Sequence, residues 1–188
     1  GMSNPDARQR ICVYDLGGGT FDVTLMEVSE GKIRVVATDG DHQLGGKDFD
    51  DKIIMDGNDE FGREHGIDLL DDLEALQDLR QRAESAKKTL SSRDSAKITI
   101  SAQGARLTVE ITRKQFEEMT ADLLVRSEMP LDAVMSASGL GWADVDQVLL
   151  VGGMTRMPAV TEMIRRVTGK EPTLSVNPDE AVALGAAI

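Results

Sequence analysis

The sequence predicts an α/β fold in which a mixed sheet is covered by helices. Three observations carry this: apolar, β-prone segments flank a glycine run near the start, strong helical periodicity covers 72–90, and a wholly apolar strand at 148–151 turns through two glycines into an amphipathic helix.

Ile11 to Tyr14 forms the first predicted strand and runs into Asp15, Leu16, Gly17, Gly18, Gly19, Thr20, Phe21 and Asp22. Phe21, Val23 and Leu25 alternate with Asp22 and Thr24, which predicts a second strand with one buried face, continuing to Val28. The glycine run between them is either a plain hairpin turn or a loop that holds an anion. In the second reading consecutive glycines take φ > 0 and bring bare N–H groups to a ligand, and Thr20 adds a hydroxyl donor. Asp15 would repel a phosphate, so there it holds a hydrated divalent cation or a water that bridges to phosphate. Gly31 turns the chain into a third strand, Lys32 to Thr38, and two meandering strands imply the edge of a mixed sheet.

From Asp39 to Asp51 the composition shifts to Gly and Asp. A helix over Lys47 to His65 is expected to kink or break near Asp56 and Gly57, because Gly57, Asn58 and Gly62 weaken it, a glycine by up to about 1 kcal/mol. The helix over Asp72 to Leu90 is strong, with Leu73, Leu76, Leu79 or Arg80, Ala83, Ala86 and Leu90 at helical spacing. Glu84, Lys87, Lys88 and Ser91 share one of its faces at i, i+3, i+4 and i+7. By charge pattern this is a solvated face; equally, its carboxylate, ammonium and hydroxyl groups could bond a ribose and a base edge.

Strands follow at Lys97 to Ala102 and Arg106 to Ile111, joined by a turn at Gln103 and Gly104. Thr112 with Gln115 predicts a capping box, and Ile111 with Phe116 a hydrophobic staple. The helix that starts there is expected to be interrupted at Pro130, to resume through Leu131, Val134 and Met135, and to stop at Gly139. Trp142 reads as a packing residue in the next loop.

Val148 to Val151 predicts a strand buried on both faces, and Gly152 to Pro158 turns it into a helix whose buried face is Val160, Met163, Ile164 and Val167. A strand, a glycine pair and a helix N-terminus bring a ligand close to backbone donors. Arg156 stands where a helix dipole disfavours a cation. It is either a solvent-exposed arginine or a guanidinium that stacks on an aromatic base. Asn177, Pro178, Asp179 and Glu180 mark a last helix; Asp179 serves its dipole or bonds a ligand hydroxyl or an ordered water.

With 188 residues and 40% hydrophobic content the chain can bury one core with a smaller appended unit. Its 21 Lys and Arg against 33 Asp and Glu, a formal net charge of -12, argue against nucleic acid or an anionic membrane as a partner. Cys12, alone inside an apolar strand, excludes an intramolecular disulfide and reads as a buried structural thiol. No apolar run is long enough to span a bilayer and no signal peptide opens the chain, so a cytoplasmic, reducing setting is expected. Gly1 to Asn4 read as a cloning remnant, with residues 1–9 a remnant or disordered.

Five blocks now carry a family resemblance: the hairpin from Val13 to Phe21, the loop from Gly40 to Asp50, the helix from Ala83 to Ser92, the turn from Leu150 to Pro158 and the stretch from Val176 to Ala187. In that order and spacing they resemble the second half of the nucleotide-binding domain of DnaK-type 70-kDa heat-shock chaperones. The resemblance implies an actin-like ATPase fold of the ribonuclease H-like class, of which this chain would be lobe II only. Residues 10–42 and 121–188 would form an inner subdomain, and 43–120 an inserted α+β outer subdomain.

It also implies ATP or ADP with Mg2+ as ligands. Asp15 resembles the carboxylate that organises the magnesium hydration sphere in catalysis, and Gly17, Gly18, Gly19 and Thr20 resemble the second phosphate loop. Glu84 and Lys87 resemble the ribose-binding pair, Ser91 the residue at the adenine edge, and Lys88 and Arg156 the two side chains that sandwich the base. Gly152 and Gly153 would approach the nucleoside and phosphates, and Asp179 the base and ribose. The family usually has an acid where this chain has Lys47, and many members have arginine in place of Lys88.

Nothing in these residues resembles the family's first phosphate loop, its catalytic lysine or its lobe I acid, and by the resemblance the stretch is expected to stop before the interdomain linker and peptide-binding domain. The expectation is a fragment of an ATP-dependent chaperone whose intact parent hydrolyses ATP, while the isolated lobe is inactive. The parent's partners would be a nucleotide exchange factor, a J-domain co-chaperone and unfolded polypeptide. The alternatives are a lobe of another actin-like ATPase or sugar kinase, or an interaction module that does not bind nucleotide.

Overall fold

In chain order the elements are β1 (Gln9–Leu16), β2 (Phe21–Ser29), β3 (Lys32–Asp41), α1 (Gly46–His65), α2 (Leu73–Leu90), β4 (Ser95–Ala102), β5 (Ala105–Thr112), α3 (Arg113–Met119), α4 (Ala121–Ser138), β6 (Gln147–Val151), α5 (Pro158–Thr168) and β7 (Thr173–Leu174). They come from a computed structural model that describes residues 8–174. The expectations placed on residues 1–7 and on the last helix, with Asp179, lie outside the described residues. The described chain divides into two units: one takes the chain up to Gly46 and resumes at Leu124, and the other is Lys47–Leu123.

The first unit is built on a mixed sheet in the order β3-β2-β1-β6-β7. β1, β2 and β3 run antiparallel as a meander, whereas β1, β6 and β7 are parallel neighbours. The period-two pattern does what it predicts: Phe21, Val23 and Leu25 are fully buried, as are Cys12, Tyr14 and Leu16 on β1 and Val148 and Leu150 on β6. Each of the Val, Leu and Phe side chains among them contributes about 1.5–3 kcal/mol by leaving water. Burial pushes the Cys12 thiol up to about 12, so it stays protonated and acts as a small apolar group. In α5, Val160, Met163 and Ile164 are buried, while Val167 is only half-buried and Thr168 is buried beyond it. Trp142 is half-buried in a single 3-10 turn, Trp142–Asp144.

The second unit holds α1, α2, the β4–β5 hairpin and α3. β4 turns Ala96, Ile98, Ile100 and Ala102 inward, and α2 turns Ala75, Leu79, Ala83, Ala86 and Leu90 inward, so its apolar face starts at Ala75; Leu73, expected on that face, is exposed and Leu76 half-buried. α1 corrects one expectation, since it is unbroken over 20 residues. A Cβ at Gly57 would come within 3.2 Å of Ile100 Cδ1 and 3.4 Å of Leu79 Cδ1, so the glycine lets the helix lie close to two core side chains. Asn58 is buried, and its Oδ1 accepts the Leu69 N–H at 2.7 Å. Tertiary packing outweighs the weak local propensity here.

A second correction concerns the helix after Thr112. The capping box forms, with the Gln115 N–H donating to Thr112 Oγ1 at 3.2 Å and the Thr112 N–H to Gln115 Oε1 at 2.9 Å. The helix breaks at Thr120 instead of Pro130. The fully buried Thr120 donates its N–H and its hydroxyl to the Phe116 carbonyl, at 3.1 and 2.7 Å, and leaves the helical φ/ψ region. α4 then runs through the buried Pro130 without interruption and ends at Gly139, whose φ is +67°. Proline costs α4 one backbone hydrogen bond, to the Arg126 carbonyl, and burial of Leu131, Val134 and Met135 carries the helix across it.

Candidate functional site

β1 and β6 are adjacent parallel strands, paired from Ile11↔Gln147 to Asp15↔Val151, so the loops that leave their C-terminal ends emerge at one edge of the sheet. Such an edge is where open α/β sheets bind ligands. One loop is the glycine run and the other is the turn from Gly152 to Arg156.

The glycine run is a tight hairpin connection, with the Gly17 N–H donating to the Thr20 carbonyl at 3.0 Å. Gly17, Gly18 and Gly19 are not in the positive-φ region, which corrects the expectation that they use left-handed backbone. Among the described residues, a Cβ at Gly18 or Gly19 would meet no atom beyond its chain neighbours within 4 Å. The fold's own packing therefore does not demand glycine at either position. Gly18 and Thr20 are exposed.

A second glycine pair, which sequence reasoning did not assign, braces this loop. The Gly46 N–H donates to the Gly17 carbonyl at 2.9 Å, and a Cβ on Gly45 would lie 2.5 Å from the Gly19 N and Cα. Only a residue without a side chain lets the two backbones touch. The signal was present as the Gly45, Gly46 doublet in the Gly/Asp stretch, but pairing at that separation is not readable from spacing alone.

Asp15 lies at the end of β1, directly opposite Asp22 on β2. Burial first, and then the Asp22 charge, raises its carboxyl above the ordinary carboxylate range. Two acids facing across a strand pair favour a cation between or beside them.

Gly152 follows Val151 and takes φ +87°. A Cβ there would lie 2.3 Å from the Leu16 carbonyl oxygen and 2.9 Å from Asp15 Oδ1. The backbone of the second loop thus packs directly against the carboxylate of the first. Thr155, fully buried and not singled out in the sequence, closes this turn by donating its hydroxyl and its N–H to the Gly152 carbonyl at 2.7 and 3.1 Å. The glycine pair leads into a 3-10 turn, Gly153–Arg156, and α5 starts at Pro158, so the turn from Gly152 to Pro158 feeds a helix as expected. Gly153 and Arg156 are exposed.

The remaining candidates lie in the second unit, on α2. Glu84 and Lys88 are exposed and pair with each other, Lys88 Nζ to Glu84 Oε1 at 2.7 Å. Lys87 turns inward to Asp50 on α1, Nζ to Oδ2 at 2.9 Å. Ser91 caps the end of α2, its hydroxyl 3.3 Å from the Lys87 carbonyl. The structure thus joins Asp15, the glycine run and Gly152 to Arg156 in one unit, and presents the α2 group in the other. Lys47 is exposed in the first turn of α1.

Among the described residues no group of three or more His, Cys, Asp or Glu is placed to hold a metal ion, and no helix is long and apolar enough to cross a membrane.

Comparison with known proteins adds the following. The family model described as Hsp70 protein matches residues 1–188. The chain is 45% identical over 194 residues to the Chaperone protein DnaK of Thermosipho melanesiensis, covering 100% of this chain and 33% of that protein. It is 46% identical over 194 residues to the Chaperone protein DnaK of Thermosipho africanus, covering 100% of this chain and 32% of that protein. It is 48% identical over 188 residues to Heat shock 70 kDa protein 6, chloroplastic, of Arabidopsis thaliana, covering 97% of this chain and 26% of that protein. The chain spans about a third or less of the length of these relatives.

Proposed function

The chain belongs to the Hsp70 family, and on that premise we propose that it is lobe II of the nucleotide-binding domain of a cytoplasmic, ATP-dependent chaperone. The first unit is the inner subdomain and the second the inserted outer one, within an actin-like fold. The observation that carries the reading is the contact of two loops at the C-terminal ends of β1 and β6, where Gly152 lies against the Asp15 carboxylate.

In this reading the N–H groups of Gly17, Gly18 and Gly19 and the Thr20 hydroxyl hold phosphate oxygens. Gly18 and Gly19 are glycine because a side chain there would occupy the phosphate's place, which explains a demand that the chain's own packing does not make. Gly152 and Gly153 pass along the nucleoside, and Arg156 and Lys88 cover the two faces of the base. Glu84 and Lys87 bind the ribose, Ser91 meets the adenine edge, and Asp179 lies near the base and ribose.

The donor set fits a hydrated magnesium ion. Asp15 and Asp22 are hard oxygen donors, too few for an all-protein cage but suited to an ion that keeps its own waters. Bound there, Mg2+ would supply positive charge to offset that of the phosphates. Asp15 would hold the ion's waters by accepting hydrogen bonds from them, a role that requires it to be ionised. Phosphoryl transfer needs charge stabilisation from both walls of a cleft, and these residues make one. The lobe alone is therefore inactive, and the intact protein, in which a nucleotide exchange factor acts on the outer subdomain, a J-domain co-chaperone assists, and a further domain binds unfolded polypeptide, is an ATPase.

Asp15→Ala in the intact protein tests this directly. Single-turnover ATP hydrolysis is expected to fall by about a hundredfold or more, the size of effect seen when one preorganised electrostatic group is removed. Hydrolysis at the unaltered rate would sink the assignment.

A further inference from the structure

Asp50 has no part in the reading above, yet its surroundings single it out. It accepts Lys87 Nζ at 2.9 Å, with side-chain exposures of 17% for Asp50 and 11% for Lys87. The neighbouring Lys88–Glu84 pair is of another kind, with exposures of 71% and 53%. An exposed pair like that is worth about 0–1 kcal/mol and orders neither partner firmly. A pair withdrawn from water is held in one geometry, because separating it strands a charge in a poorly solvated place.

Two features argue that cohesion between α1 and α2 is not the purpose of Asp50. Its Oδ1 is shut off from solvent and has no hydrogen-bond partner among the described residues. Burial raises its carboxyl above the ordinary range despite Lys87, and the nearby Glu84 charge pushes the same way. A carboxylate so placed is an expensive way to join two helices, and apolar residues of the same volume would serve as well or better. What gains is Lys87. Its four-carbon stem has many rotamers, and freezing them when a ligand arrives would weaken binding.

We propose that Asp50 is a positioning residue that fixes the Lys87 ammonium in place before the nucleotide arrives, so that the sugar hydroxyls meet a donor already aimed. This inference rests on Lys87 as a sugar contact. It assigns Asp50 no contact of its own with the ligand.

The test titrates ADP and 2′,3′-dideoxy-ADP into the intact protein and into Asp50→Asn, Lys87→Gln and the double variant. The wild type is expected to prefer ADP. Asp50→Asn shrinks that preference by about three- to tenfold, the cost of ordering one long side chain on binding. The double variant matches Lys87→Gln alone, because Asp50 acts only through Lys87. Equal losses for both nucleotides in Asp50→Asn would mean cohesion only and would overturn the inference, as would a double variant that discriminates less than Lys87→Gln. Should Asp50→Asn not fold, the double variant, which leaves no buried charge unpaired, decides against Lys87→Gln in the same way. A wild type that discriminates, with Asp50→Asn unchanged, overturns this inference alone. A wild type that binds both nucleotides equally overturns the sugar contact and the inference together.

Discussion

Gly18 and Gly45 require glycine for opposite reasons, and the difference is measurable. A Cβ on Gly45 falls 2.5 Å from backbone atoms of Gly19, so no side-chain rotation can relieve the clash. Gly45→Ala should destabilise the fold by about 2 kcal/mol or more, as overpacking does; an unchanged denaturation midpoint would show that the two loops are not braced. Gly18 has open space, so Gly18→Ala should leave the midpoint in place and still cut ADP affinity of the intact protein at least about tenfold, the cost of crowding one phosphate contact. Equal ADP affinity would remove the loop from the site. Asp41 offers a pH test. Arg126 Nη2 donates to its Oδ2 at 2.6 Å and the Gln43 N–H donates to its Oδ1, and together they hold the carboxyl below its ordinary range, Arg126 first. A carboxylate depressed in the folded state stabilises above its unfolded value, about 3.9, and that contribution is lost as pH falls through the folded value. Asp41→Asn should cost about 1 kcal/mol at neutral pH and less near pH 3. Urea unfolding at both pH values checks it, and a gap that does not narrow on acidification would place the acid sensitivity elsewhere.

At the scale of elements, what was legible depended on how local the cause is. The capping box at Thr112 and Gln115, the alternation in β2 and most of the apolar face of α2 are set by residues a few positions apart and were readable, although Leu73, expected on that face, is exposed. Thr112→Ala should therefore cost about 1 kcal/mol by chemical denaturation; no loss would mean the box is ornamental to α3. Gly57 and Pro130 look like breaks by propensity, and both sit inside continuous helices: at Gly57 side chains distant in sequence lie close to the backbone, and Pro130 is buried together with Leu131, Val134 and Met135. Thr120, by contrast, ends a helix through one hydroxyl bond to Phe116, a choice that its residue type permits but does not dictate.

For the whole molecule, each loop of the candidate site was visible in the sequence, but the contact that makes them one site was not. Asp15 and Gly152 are 137 positions apart, and the pairing of β1 with β6 brings them together. Five blocks in order supplied what no single block could, and the Hsp70 family model matches residues 1–188. The central claim is that this lobe supplies one wall of an ATPase cleft. Steady-state ATP hydrolysis tests it, measured on the 188-residue chain alone and on a chimaera in which it replaces the matching third of Thermosipho melanesiensis DnaK. The account predicts no turnover by the chain alone, and turnover by the chimaera that falls about a hundredfold or more on Asp15→Ala. A chimaera unaffected by that substitution, or a chain that hydrolyses ATP unaided through Asp15, would contradict it.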